Sequence, residues 1–167
     1  CNTPLVWDET MLQSLRVYAA ANQPALLTPF LLAGASGPAS PEVGVALLLA
    51  EALAGIAYAQ IVRRGCPMVL GVALMGVSMK SGAPMMGTAE PGLMNLIVGQ
   101  MARFYRLPWR SCTMWTGSKA ADLQAGYDSA NSMWPVMLGG CNYIMHAAGV
   151  LEGALGVSYA KWVQDAA

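Results

Sequence analysis

The only histidine of the chain, His146, opens the stretch HAAGVLEG, which also holds a carboxylate, Glu152. Two further polar clusters interrupt an otherwise apolar sequence. One is Ser78 and Lys80, with Glu90 beyond them; the other is WTGSK, which supplies Trp115, Ser118 and Lys119. These types suit binding: hydroxyls and cations for a polar group, carboxylates for a cation, an indole face for a cationic head. We take His146, Glu152, Glu90, Trp115, Ser118, Lys119, Ser78 and Lys80 as candidate substrate-binding residues, and assign no residue a catalytic role. His146, with an ordinary pKa near 6.5, reads either as a structural hydrogen bonder or as a ring that faces a ligand. Lys80 and Lys119 read more readily as solvated charges, and Glu152 reads also as an acid in the first turn of a helix. The four cysteines, Cys1, Cys66, Cys112 and Cys141, form no CxxC pair and match no zinc spacing, so no metal site is expected; unpaired thiols suit a reducing cytoplasm.

The elements that must position these residues alternate. Apolar runs predict strands over 25–33, 68–77, 109–115 and 141–146. Apolar residues at helical spacing predict helices over 8–21, 42–63, 93–106, 118–138 and 151–163. Ser40 is the expected N-cap of the long helix, Pro41 its first residue and Gly65 its stop. Continuous apolar strands fit a parallel sheet covered by helices. The fold class is therefore α/β, with four βα units, about half of a (β/α)8 TIM barrel, in a single domain over 1–167; a small doubly wound sheet is the alternative. No GxGxxG or GxxxxGK[ST] follows any strand, so nothing points to a dinucleotide or P-loop site. In a barrel, all eight candidates would share the rim at the strands' C-terminal ends. Among Trp109, Trp115, Tyr127, Trp134 and Tyr143, Trp115 is best placed to form a cage for a cation, because it ends a strand.

Composition narrows the class. The net charge is zero, so no nucleic-acid footprint is expected. Charged residues make up 11% and apolar ones 56% of the 167, so a large apolar surface must be covered. The segment 44–62 approaches the length of a membrane span, but Glu51 at its centre argues against one. A buried Glu51 is expected to pair with Arg63 or Arg103. The methionines are expected to fill the core. The first residues carry no basic, apolar leader, and both ends read as cut from a longer chain.

The motifs PFLLAGASGP, AEALAGIAYAQIVRRGCP, MKSGAPMMGTAEP, ARFYRLPWRS, DLQAGYDSA and HAAGVLEG, in that order, resemble the trimethylamine methyltransferase (MttB-like) family over nearly the whole chain. The resemblance implies the C-terminal part of a longer (β/α)8 barrel enzyme. It also implies transfer of a methyl group from a methylamine to the cobalt of a corrinoid (cobalamin) carried by a cognate partner protein, with no cofactor bound by this chain itself. The absence of pyrrolysine places the sequence with members that act on quaternary amines such as glycine betaine, as an alternative to trimethylamine. Ser78, Gly117 and Val150 stand where the family pattern has other residues, which leaves a non-catalytic amine-binding relative as one alternative. A membrane-embedded carrier of small molecules is the other. A homo-oligomer is also expected, since half a barrel leaves two sheet edges open.

Overall fold

A computed structural model describes all 167 residues. Helix α1 (Glu9–Ala20) and strands β1 (Ala25–Leu27) and β2 (Phe30–Ala33) lead into the long α2 (Pro41–Val62). Strands β3 (Met68–Gly71), β4 (Ala73–Val77) and β5 (Pro84–Met85) precede α3 (Ala89–Tyr105). Then come β6 (Trp109–Cys112), α4 (Leu123–Leu138) and β7 (Tyr143–Met145). The chain ends with β8 (Val150–Leu151) and β9 (Gly156–Val157) around a 3-10 turn (Glu152–Ala154), then α5 (Tyr159–Ala166).

Strands β1, β3, β6 and β7 lie side by side in that order, all parallel, with Leu26 opposite Val69, Leu70 opposite Trp109 and Ser111 opposite Ile144. Strands β2 and β4 form a second parallel pair, with Leu31 opposite Leu74. The parallel, helix-covered sheet expected from the apolar runs is therefore present. Its strands are shorter than expected. The run 25–33 breaks at Thr28 and Pro29, because proline has no N–H for the ladder. The run 68–77 breaks at Val72, whose N–H turns to the carbonyl of Arg110 at 3.3 Å. The third strand stops at Cys112 because Met114 adopts a left-handed backbone (φ 58°), and the fourth stops before His146 (φ 57°) for the same reason.

The helices also need correction. The segment 151–163 is not one helix: Glu152, Gly153 and Ala154 all have positive φ, so it forms the β8–β9 hairpin first. Helix α5 starts only after Ser158, whose hydroxyl accepts from the Lys161 N–H at 3.4 Å. Helix α4 starts at Leu123 and not 118, where Asp122 caps it by accepting from Ala125 N–H at 2.9 Å. Helix α2 begins at Pro41 as expected, but the Ser40 hydroxyl donates to Glu42 at 2.6 Å and caps no helix N–H. The segment 80–92, between the expected strand 68–77 and the expected helix 93–106, contains β5, antiparallel to β4, and the first turn of α3.

Leu31, Leu48, Leu70, Val98 and Trp109 are the fully buried heart of a core between the sheet and helices α2 and α3. Each such side chain contributes about 1.5–3 kcal/mol. Alternation along β6 fixes the site. Trp109 and Ser111 face this core, and the Ser111 hydroxyl reaches Asn95 of α3 at 2.6 Å. Arg110 and Cys112 therefore point to the opposite face, which their register partners Tyr143 and Met145 share.

Helix α2 is long and apolar enough to cross a membrane, yet 44% of its most apolar window is buried in this fold. Glu51, 2% exposed, does not pair with an arginine. It accepts from the Thr3 hydroxyl at 2.9 Å and from the Leu5 N–H. Arg63 instead donates to the Ala20 carbonyl at 3.1 Å and Arg103 to that of Gly139 at 2.6 Å, because both sit near helix ends, away from Glu51. Glu51 thus ties the first residues to α2. Glu51→Gln in the full-length protein is expected to lose about 1.5–3 kcal/mol, the value of hydrogen bonds to a charged group, read as a drop in the denaturant midpoint at unchanged slope.

Candidate functional site

Arg110 is the most unusual side chain on the open face of the sheet. It is 4% exposed, and no carboxylate meets it. One terminal nitrogen donates to the Cys112 sulfur at 3.2 Å and the other to the Met145 sulfur at 3.1 Å. Its Nε has no partner. Sulfurs are weak acceptors, so the desolvation of this guanidinium is only partly offset. Cys112 also lies 3.5 Å from His146 Nδ1, and the His146 ring stacks obliquely on Trp115, with centroids 5.4 Å apart. Arg110, Cys112, His146 and Trp115 therefore form one group at the C-terminal ends of β6 and β7.

Electrostatics follow from that arrangement. Partial burial, then the positive charge of Arg110, push the pKa of His146 below its ordinary value. Burial pushes the Cys112 thiol up, against the opposing pull of Arg110. The ring is thus neutral and the thiol protonated at neutral pH. A histidine whose folded pKa is depressed contributes stability above its unfolded pKa, near 6.5, and that contribution fades as pH falls. On acidification from pH 7 to pH 5, the wild-type unfolding midpoint is expected to fall further than that of His146→Gln. Equal falls in both would mean that His146 titrates as it does in the unfolded chain.

A second layer stands behind the group. The carboxylate of Asp128 accepts from the Thr116 hydroxyl at 2.6 Å and from Gly117 N–H at 3.4 Å. The Ser118 hydroxyl donates to Asp122 at 2.8 Å, and its carbonyl accepts from Glu152 N–H at 2.9 Å. Lys119 and Glu152 form an ion pair at 3.2 Å, with side chains 81% and 43% exposed. Such a pair contributes little, about 0–1 kcal/mol.

The eight residues chosen from the sequence thus fall into separate sets. Trp115 and His146 meet, and Ser118, Lys119 and Glu152 meet. Ser78 sits in the β4–β5 turn, where its hydroxyl accepts from Ser81 N–H at 3.3 Å; Lys80 is exposed in the same turn, and Glu90 is exposed in the first turn of α3. These three make no hydrogen bond or ion pair with the other five. Sequence reasoning missed Arg110, Cys112, Thr116 and Asp128. The signal for Arg110 was present: a cation in the middle of the apolar strand WRSC, at a position that alternation turns away from the helices.

The family described as trimethylamine methyltransferase (MTTB) matches residues 1–167. A glycine betaine methyltransferase of Desulfitobacterium hafniense is 39% identical over 163 residues, 98% of this chain and 34% of that protein. A proline betaine:corrinoid methyltransferase of Eubacterium limosum is 29% identical over 164 residues, again 98% and 34%. A trimethylamine methyltransferase, MttB1, of Methanosarcina mazei is 28% identical over 163 residues, 98% and 33%. The chain spans about a third of the length of these curated relatives.

Proposed function

Since this chain belongs to the trimethylamine methyltransferase (MTTB) family, we propose that the complete protein is a methyltransferase that takes a methyl group from a betaine, with a partner's corrinoid as acceptor. The observation that carries the choice of substrate is Arg110, a buried guanidinium with no carboxylate partner. Trimethylamine has no anion to offer it. A betaine has both a carboxylate for the Arg110 fork and a quaternary ammonium for an aromatic face such as Trp115. The carboxylate would draw on the unpartnered Nε and the terminal nitrogens, with neutral His146 as a hydrogen-bond partner beside them.

The chemistry asks little more of the chain. A quaternary ammonium releases a neutral tertiary amine, so no proton has to be supplied and no base is required. The residues need to bind the zwitterion, align one methyl group and exclude water. The reduced corrinoid supplies the nucleophile that receives the methyl group. Ala147, Ala148 and Gly149 give the rim beside His146 small side chains where so broad an acceptor must approach. The relatives this chain matches are named as methyltransferases, which speaks against a non-catalytic relative despite the departures at Ser78 and Gly117. The parallel order β1-β3-β6-β7 supports four consecutive units of a (β/α)8 barrel whose edges, β1 and β7, meet the rest of the protein. A cytoplasmic location accords with the four free thiols.

The test uses the full-length protein with its reduced corrinoid protein and measures dimethylglycine from glycine betaine and dimethylamine from trimethylamine. Glycine betaine should be preferred by about 100-fold or more in kcat/KM, the value of a buried charge-assisted contact; equal use of the two amines would sink the betaine reading. His146→Gln, which keeps a donor and an acceptor, should cost about 1–2 kcal/mol, or roughly 5- to 30-fold in kcat/KM. A loss beyond about 10³-fold with loss of pH dependence would show acid–base work instead.

A further inference from the structure

Behind the rim, α5 carries a buried ion pair that the binding chemistry does not use. The side chains of Lys161 and Asp165 are 0% and 1% exposed. The three N–H bonds of the Lys161 ammonium have three kinds of acceptor: the Met114 carbonyl at 3.1 Å, the Ser129 hydroxyl oxygen at 2.8 Å and the Asp165 carboxylate at 2.5 and 2.7 Å. Asp165 also accepts from the Ser129 hydroxyl at 2.7 Å and from the Gly149 N–H at 2.8 Å. No polar group in the cluster is left over. Buried pairs of this kind add little stability over well-packed apolar residues, so their geometric consequence is the informative one.

That consequence falls on the site. Met114 immediately precedes Trp115, and its strained left-handed backbone is held from both sides, by Lys161 at the carbonyl and by the Ser132 hydroxyl, at 2.9 Å, at the N–H. Gly149, three residues after His146, has φ 80°, and a Cβ there would press on Trp162 of α5 at 3.2 Å. The last paired residues of β6 and β7 are Cys112 and Met145, so Trp115 and His146 both lie beyond the ladder. We propose that Lys161 and Asp165 are positioning residues: acting through Met114 and Gly149, they set the separation of Trp115 and His146 and hence the affinity for a quaternary ammonium. This rests on the assignment of that group as an amine site.

The test compares the full-length protein with Lys161→Met/Asp165→Leu, which removes both charges. Glycine betaine affinity is read by calorimetry, and the ring geometry by the His146 Cε1–H resonance, which carries the ring-current shift of Trp115. In the double variant, Kd should rise about 10- to 100-fold, as expected for a site loosened by about 1 Å, and kcat should fall with it because the methyl group is less well aligned. The indole shift should diminish. If the double variant does not fold, Ser129→Ala decides, since it removes one bond to each partner and leaves the charges; Kd should then rise about 2- to 10-fold with a smaller change in the shift. A folded variant with wild-type Kd and an unchanged His146 resonance overturns the proposal. If wild-type protein binds no betaine, the amine assignment fails, and the resonance alone still decides whether the pair positions the rings.

Discussion

Arg110→Met in the full-length protein is expected to lower kcat/KM for glycine betaine by about 10²- to 10³-fold, or roughly 3–4 kcal/mol, mostly through KM. The loss includes the cost of a substrate carboxylate left buried without its partner. Tetramethylammonium, which has the cationic head and no carboxylate, should change by less than about 3-fold, since it makes no charge-assisted bond to lose. Arg110→Lys should fall between them, because a lysine carries the charge without the two-pronged fork. Stability should move the other way. In the free protein Arg110 is 4% exposed with two sulfurs as partners and an unpartnered Nε. Removing such a charge relieves a desolvation cost, so the methionine variant should match or exceed the wild-type melting temperature. A large fall in melting temperature with equal losses on both substrates would make Arg110 a structural residue. Opposite movements of stability and activity are the mark of a residue kept for its ligand.

The parallel strands and covering helices were legible because burial on both faces leaves continuous apolar runs, and these were read at β1–β2, β3–β4, β6 and β7. The strand ends were not, because they depend on single backbone turns at Met114 and His146 that any residue type can conceal. The last helix was misplaced for a related reason: LEGALG has good helix formers, but three successive positive φ values build a hairpin tip there. Of the polar residues after the strands, Trp115 and His146 do meet beyond the ends of β6 and β7. Their bonding partners were hidden, since Ser118 engages Asp122 and the β8 tip, and the buried cation Arg110 lies inside a strand. Glu51 was expected to seek an arginine, but two uncharged donors from the N-terminal segment satisfy it.

Gly87→Ala should be among the most damaging small substitutions, at about 2–5 kcal/mol in unfolding free energy, with weakened betaine binding. Two costs combine. Gly87 has φ 73°, where a Cβ costs about 1–2 kcal/mol. A Cβ there would also stand 2.4 Å from both Cβ and Cγ of Asp128, and relieving that overlap costs typically about 1–3 kcal/mol more. Gly82 provides the control. Its φ is 72°, and nothing lies within 4 Å of a Cβ placed there, so Gly82→Ala should show only the first cost. The difference between the two variants isolates the contact with Asp128. That contact matters for the site because Asp128 holds the Thr116 hydroxyl at 2.6 Å, and the Thr116 carbonyl accepts from Gly153 N–H at 2.9 Å. Pushing Asp128 aside therefore loosens the backbone next to Trp115, and betaine affinity should fall in Gly87→Ala but not in Gly82→Ala. Equal destabilisation by the two would mean that Asp128 yields freely, and that the loop carrying Trp115 is not braced through it.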